Sequence, residues 1–139
     1  MTRRRQFSIS LAAFAKKYES RAEAIYKKSA ADIGSSVVLK TPVDLGQARG
    51  GWNGAVGSVS LTETPLDKNG RDTIERIRAS LSDFKVGDRL FIYNNVEHIL
   101  PLENGHSTTQ APSGMVAVTL RRWNYFVNKA AQEAKNENP

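Results

Sequence analysis

Ser10-Leu11-Ala12-Ala13-Phe14-Ala15-Lys16-Lys17-Tyr18-Glu19-Ser20-Arg21-Ala22-Glu23-Ala24-Ile25-Tyr26 begins a stretch, running to about Val37, whose reading decides the fold. Phe7, Leu11, Phe14, Tyr18, Ala22, Ile25 and Ile33 recur at spacings of three, four or eight, which places them on one stripe of a helix with 3.6 residues per turn. Lys16, Lys17, Glu19, Arg21, Glu23, Lys27 and Lys28 fall largely outside the stripe. Glu23 and Lys27 are spaced for an i,i+4 ion pair. The spacing predicts one long helix over 10–37 with an apolar face turned to a core. Its length leaves one end free to pack on a neighbouring subunit. Gly34-Ser35-Ser36 is a candidate stop or bend.

After this helix the chain changes character. Thr41-Pro42-Val43-Asp44-Leu45-Gly46 is punctuation: Pro42 cannot continue a helix, Asp44 can accept a backbone hydrogen bond two residues on, and Gly46 can take left-handed geometry. Gln47-Ala48-Arg49 reads as a short turn. A strand is expected from Trp52 to about Leu61, weakened by Gly54 and Gly57. Residues 62–71, with Pro65 and Asn69-Gly70, read as an exposed loop, either a plain connection or a contact arm. Asp72 and Glu75 then have the spacing of a capping box for a helix whose inner face is Ile74, Ile77, Leu81 and Phe84. Val86-Gly87-Asp88 ends that helix, and Arg89-Leu90-Phe91-Ile92-Tyr93-Asn94 reads as a second strand.

Residues 102–116 form the most conformationally specified stretch. Gly105 and Gly114 stand where positive φ is needed, Pro112 fixes the backbone, and Ser113 offers a hydroxyl to the free N–H groups of a following helix. Ordered loops of this length are uncommon in compact folds and usually functional. Met115 to about Lys135 reads as a last helix, with Val116, Leu120, Trp123, Val127, Ala130, Ala131 and Ala134 inside, although Met115–Val118 also has the alternation of a strand. Trp52 and Trp123 are expected in the core. The whole is an α+β fold: a long N-terminal helix and a C-terminal helix packed on a small, mostly antiparallel sheet, with long ordered loops. With 139 residues, one domain is expected, with 1–8 and 136–139 flexible.

Composition narrows the function classes. The chain is 40% hydrophobic and 24% charged, ordinary for a soluble protein. It has no apolar run near the roughly 20 residues that span a bilayer, so no membrane partner is expected, and Arg3-Arg4-Arg5 is not followed by the apolar core of a secretory signal. Cysteine is absent, which excludes disulfides and thiolate metal sites and fits assembly in a reducing cytosol. The formal net charge is +6. Residues 1–40 carry nine Lys or Arg against three Asp or Glu, while the rest balance, so the basic excess belongs to the N-terminal segment. That segment is either a solvated helix face or a contact for nucleic acid or an acidic surface. No helix-turn-helix, zinc or RNP signature accompanies it, so nonspecific backbone contact is the most it supports. His98 and His106 leave a nucleophile–base pair open by counting, which makes a hydrolase the third reading. No nucleophile elbow, metal-ligand spacing or phosphate loop surrounds them. No enzyme activity, metal or cofactor is expected.

Three blocks carry a more specific signal. Leu102-Glu103-x-Gly105-His106-Ser107 followed by Gln110-Ala111-Pro112-x-Gly114-Met115-Val116 resembles the tail-completion or neck protein family of long-tailed bacteriophages. Thr41-Pro42-Val43-Asp44-x-Gly46-x-x-Arg49-x-x-Trp52 agrees, as does Ile92-Tyr93-Asn94-Asn95 at its distance before the loop. Leu45, where the family more often has Thr or Ser, and Pro101, which breaks the approach to Leu102-Glu103, depart from the pattern. The resemblance implies a structural virion protein of the head–tail junction, assembled in the host cytoplasm. It implies a homo-oligomeric ring, six subunits, between a head-completion or connector protein and the tail terminator or tail tube, with genomic DNA passing through the lumen. The loops 62–71 and 102–114 would then make contacts between subunits or rings, with Arg49, Glu103, His106, Gln110 and Met115 as candidate interface residues. Within one chain, Glu103 has an alternative use as a cap on backbone N–H groups near Gly105 and His106, against a salt bridge across an interface to Arg49. The competing class is a small nucleic-acid-associated protein that uses its basic N-terminal helix.

Overall fold

A computed structural model describes residues 2–61, 63–105, 107–111 and 113–137, with side chains from Lys17 onward. The elements in order are α1 (Thr2–Lys40), α2 (Gln47–Gly50), β1 (Trp52–Val56), α3 (Arg71–Ser80), β2 (Leu90–Asn94), α4 (Ile99–Glu103), α5 (Val116–Leu120) and α6 (Trp123–Glu137). The fold is α+β, with a long N-terminal helix, a C-terminal helix and a small antiparallel sheet.

Helix α1 has 39 residues and is about 58 Å long at 1.5 Å per residue. It extends beyond the expected 10–37 span at both ends. Glu23 and Lys27 form the i,i+4 pair at 3.3 Å. Gly34-Ser35-Ser36 does not stop the helix, because all three positions are used by packing partners or stay compatible with the helix. Gly34 lets α3 approach: a Cβ there would lie 3.2 Å from Ile77 Cγ2 and 3.4 Å from Ile92 Cδ1. Ser36 Oγ meets Thr119 Oγ1 at 3.0 Å, tying α1 to α5. The helix ends where the Thr41 hydroxyl donates to Val37 O at 2.7 Å and Pro42 follows. The apolar stripe is only partly buried by its own chain. Val37 and Val38 are in the core, but Tyr18 is exposed. Phe7, Leu11 and Phe14 lie outside the described side chains.

The sheet has two strands, paired antiparallel from Trp52↔Asn94 to Val56↔Leu90. Strand β1 is shorter than the expected 52–61 because Gly57 turns the backbone to φ 94°. Its N–H still donates to Arg89 O at 2.9 Å, and then the chain leaves the sheet. Helix α3 packs across the sheet and against α1. The core gathers Val37 and Val38 of α1, Trp52 of β1, Ile77 of α3, Leu81, and Ala111 and Met115 from the late loop.

The last helix is broken in two. Arg121 and Arg122 form a turn between α5 and α6, with Arg122 N donating to Thr119 O at 3.0 Å. The expected stripe holds only in part: Ala130 and Ala134 are buried, with Phe126, whereas Leu120 and Trp123, on either side of the break, are exposed. Trp123 is therefore not a core residue. Helix α6 lies antiparallel on α1, as Lys129–Asp32 at 3.9 Å and Lys28–Glu137 at 2.8 Å require. It continues through Glu137, further than the expected tail allowed, and small Ala130 and Ala134 let it sit close. Pro101 does not break the chain before Leu102. It sits in the first turn of α4, where an N–H would lack a helical partner anyway.

Replacing Gly34 with Leu is expected to lower stability by about 1–3 kcal/mol, because the α1–α3 crossing has no room for the side chain. Urea unfolding measures this; an unchanged midpoint would mean the helices do not cross at Gly34.

Candidate functional site

The residues of the first sequence block fold into a corner at the end of α1. Helix α2 carries Arg49 back under the last turn of α1. There Arg49 Nε and Nη2 donate to Thr41 O at 3.2 and 2.8 Å, Nη2 also to Leu39 O at 3.0 Å, and Nη1 to Lys68 O at 2.9 Å. A fixed cation at the carbonyl end of a helix satisfies groups that have no intrahelical partner and complements the helix dipole. Burial lowers the Arg49 pKa and nearby Asp67 opposes this; a guanidinium remains charged throughout. Trp52 Nε1 donates to Thr41 Oγ1 at 2.8 Å, so one threonine hydroxyl links the indole to the helix end. Gly46, at φ 88°, allows this tight return: a Cβ would lie 2.8 Å from the Asp67 backbone.

The second half of the 62–71 loop is part of the same corner and is not a free arm. Asp67 is buried. It accepts from Gly70 N at 3.0 Å, Thr73 N at 2.9 Å and the Thr73 hydroxyl at 2.7 Å. This overturns the capping-box expectation. The residue before α3 is Gly70, at φ 82° and without a side-chain cap. The free N–H groups are served by Asp67 from outside the helix, not by Asp72. Burial pushes the Asp67 carboxyl up. The Thr73 hydroxyl and amide, the Gly70 amide and the Arg76 charge outweigh it, so the net displacement is below the ordinary carboxylate value. Arg76 closes the inner side, donating from Nη2 to Gly50 O and Trp52 O at 2.8 Å each and from Nε to Asn53 Oδ1 at 3.2 Å. Thr62 lies outside the described residues.

The other two blocks close on the first. Asn94 of the second block donates from Nδ2 to Ala48 O at 2.8 Å, and its Oδ1 accepts from Val96 N. Gln110 of the third block accepts from Val43 N at 2.8 Å and donates to Val43 O at 3.4 Å, pairing as a strand residue would. Glu103 acts within its own chain. Its Oε1 accepts from Met115 N, Val116 N and Ala117 N at 3.0, 2.8 and 3.2 Å, and its Oε2 from Val116 N at 3.1 Å. The cap expected from Ser113 is thus supplied by Glu103, on the first turn of α5 and not on the turn near Gly105. Gly105 and Gly114 both take positive φ, as the spacing of the loop requires. At Gly114 a Cβ would collide with the Glu103 carbonyl and carboxylate.

The candidate interface residues are therefore placed differently from one another. Met115 is in the core, Arg49 and Glu103 are half-buried and hydrogen-bonded within the chain, and Gln110 is at the surface on Val43. No ion pair joins Arg49 and Glu103 among the described residues. His106 and Pro112 lie outside the described residues. His98 is exposed at the start of α4. Among the described residues no three His, Asp or Glu side chains converge as a metal site. Asp67 and Arg76 are the members of the corner that the residue patterns did not single out as functional, whereas Asn94 stood in one of the three blocks. The only advance signal was the turn chemistry of Asp67-Lys68-Asn69-Gly70. Around the corner, Leu45, Leu66 and Leu100 stand 63%, 63% and 70% exposed. No family model, curated protein or solved structure matches this chain.

Asp67→Ala is expected to cost about 1–3 kcal/mol, because it orphans buried N–H groups. Since the folded carboxyl titrates below its unfolded value, its contribution is complete above about pH 4 and fades as pH falls through the lower folded value. The stability gap between the natural chain and Asp67→Asn should narrow along that acid limb in urea titrations; a gap that widens there would contradict the geometry. Glu103→Ala is expected to cost about 1 kcal/mol as a lost cap. Combined with Arg49→Ala it should be additive to within about 0.5 kcal/mol, because the two residues serve different helix ends. A larger coupling would mean that they meet.

Proposed function

We propose that this chain is a structural protein of the head–tail junction of a long-tailed bacteriophage, acting in neck formation or tail completion, and not an enzyme. In this reading copies assemble into a six-subunit ring. The ring stacks between the connector or head-completion protein and the tail terminator or tail tube, and the genome passes through its lumen. The observation that carries the reading is the convergence of the three sequence blocks that resemble that family. Gln110 and Val43 are 67 residues apart, and Asn94 and Ala48 are 46 apart, yet each pair is hydrogen-bonded. The hydrogen bonds between the blocks join them into one corner, a fixed shape that suits a docking element. A closed ring needs a heterologous contact, in which one patch meets a different patch on the next subunit. Leu45 and Leu66, on loops of the corner, and Leu100 of α4 are exposed and are candidates for such contacts.

Infection by phage lacking this gene should yield filled heads and free tails that do not join, and purified protein added to the lysate should restore joined particles. Light scattering of the protein with its docking partners should give a ring mass. Normal joined virions without the gene, or mature virions with no density for the chain at the neck, would overturn the reading. The basic segment over residues 1–40 is the basis of the competing class. Useful DNA affinity of the isolated protein, falling steeply with salt, would favour that class instead.

A further inference from the structure

Asparagine followed by glycine occurs at Asn53-Gly54, Asn69-Gly70 and Asn104-Gly105. With no Cβ on the second residue, its backbone nitrogen is unshielded and can approach the asparagine side chain closely. That nitrogen can attack Cγ. The N–Cγ bond forms, the amide proton passes to a solvent base, the Cγ–Nδ2 bond breaks, and Nδ2 takes a proton from water and leaves as ammonia. Water then opens the five-membered imide at either carbonyl, giving aspartate or isoaspartate. Water is the only co-reactant. The three pairs share this chemistry, so a difference in rate between them is made by the fold.

Ring closure sets a geometric condition. In a trans peptide the N–H bond lies on the same side as the preceding Cα, so the new N–Cγ bond takes the direction of the N–H bond. An acceptor that holds the N–H therefore occupies the place that Cγ needs. At Asn69 the acceptor is charged: Gly70 N donates to Oδ1 of the buried Asp67 at 3.0 Å. The Asn69 side chain is held as well, its Oδ1 accepting from Arg71 N at 2.9 Å. Asn53 is guarded by burial. It is 8% exposed on β1, its Oδ1 accepts from Arg76 Nε at 3.2 Å, and its Nδ2 donates to Gly51 O at 3.4 Å. Asn104 has neither guard. It is exposed, and among the described residues no hydrogen bond holds its side chain. Gly105 N donates only to the neutral Leu102 O, at 3.1 Å, in the turn that ends α4. That helix has five residues and none of them is buried, so its end opens at little cost.

We infer that Asn104 is a site of spontaneous covalent modification, converted to aspartate and isoaspartate by attack of Gly105 N, while the fold keeps Asn53 and Asn69 as amides. The site adjoins the Glu103 cap. Isoaspartate at 104 lengthens the main chain by one carbon between Glu103 and Gly105. Both products add a carboxylate beside the one that serves the N–H groups of Met115, Val116 and Ala117. Conversion therefore acts on the contact between α4 and α5. This inference does not rest on the head–tail reading.

The test uses the full natural chain, held folded at mildly alkaline pH in water enriched in heavy oxygen, which labels each new carboxyl. Peptide mass spectrometry then reads the three sites side by side. Asn104 is expected to convert at least about 10-fold faster than Asn69, the factor that one charge-assisted hydrogen bond supplies. Asn53 should also be slow. In concentrated urea the three rates should converge. Asp67→Ala should speed conversion at Asn69 and leave Asn53 slow, the slow Asn53 reporting that β1 is still folded. Conversion of Asn104 no faster than Asn69 or Asn53 in the folded chain would overturn the proposal. So would the same rate order in urea as in the folded chain, because the fold would then have no part in it. Neither result bears on whether the protein joins heads to tails.

Discussion

The guanidinium of Arg49 under the last turn of α1 is the contact on which the other pieces depend. A 39-residue helix leaves its terminal carbonyls without partners, and these face a region that must be packed. Arg49 satisfies two of them, at Leu39 and Thr41, and reaches Lys68 on the far loop. Because α2 is anchored there, Trp52 starts β1 beside Thr41, and the strand inherits its direction from the helix end. Arg76 then holds the carbonyls of Gly50 and Trp52 from α3. Two cations on backbone oxygens thus set helix, strand and crossing helix in one geometry, with no buried ion pair required.

The same device recurs with the sign reversed. Asp67 and Glu103 are carboxylates aimed at the free N–H groups of helices to which they do not belong. Each replaces a local cap with one brought from elsewhere in the chain. The substitution has a structural effect beyond the hydrogen bonds. A local cap fixes only where a helix starts, whereas a remote cap also fixes what lies against that start. Asp67 binds its loop to α3, and Glu103 binds α4 to α5 across the turn at Gly114.

This explains what the residues disclosed in advance. Helix α1, strand β2, the bend at Pro42 and the positive φ of Gly46, Gly105 and Gly114 depend on neighbours in sequence, and were legible. The α+β arrangement followed from their order. Remote caps were not legible, because Asp72 and Ser113 satisfy the local rule as well as Asp67 and Glu103 satisfy the tertiary one. The break at Arg121-Arg122 carries no proline or glycine, so nothing local announces it. Gly34 misled in the opposite sense: its missing side chain serves a crossing helix, not a stop. Of the corner, Arg49, Trp52 and Asn94 were visible as parts of the quoted blocks, while Arg76 was silent because its partners, Gly50 O, Trp52 O and Asn53 Oδ1, lie more than 20 residues away in sequence.

The route from β1 to β2 has one more implication. The two strands are not a hairpin; their nearest paired residues, Val56 and Leu90, are separated by a long excursion through α3. A two-stranded ribbon alone is marginal, and closing so long a segment has an entropic cost before any rung forms. Docking of α3 on α1 across Gly34 holds part of that excursion in place and so lowers the cost of closing it. The ribbon's stability is thereby tied to the α1–α3 crossing: a change that loosens α3 from α1 is expected to loosen the β1–β2 ladder with it.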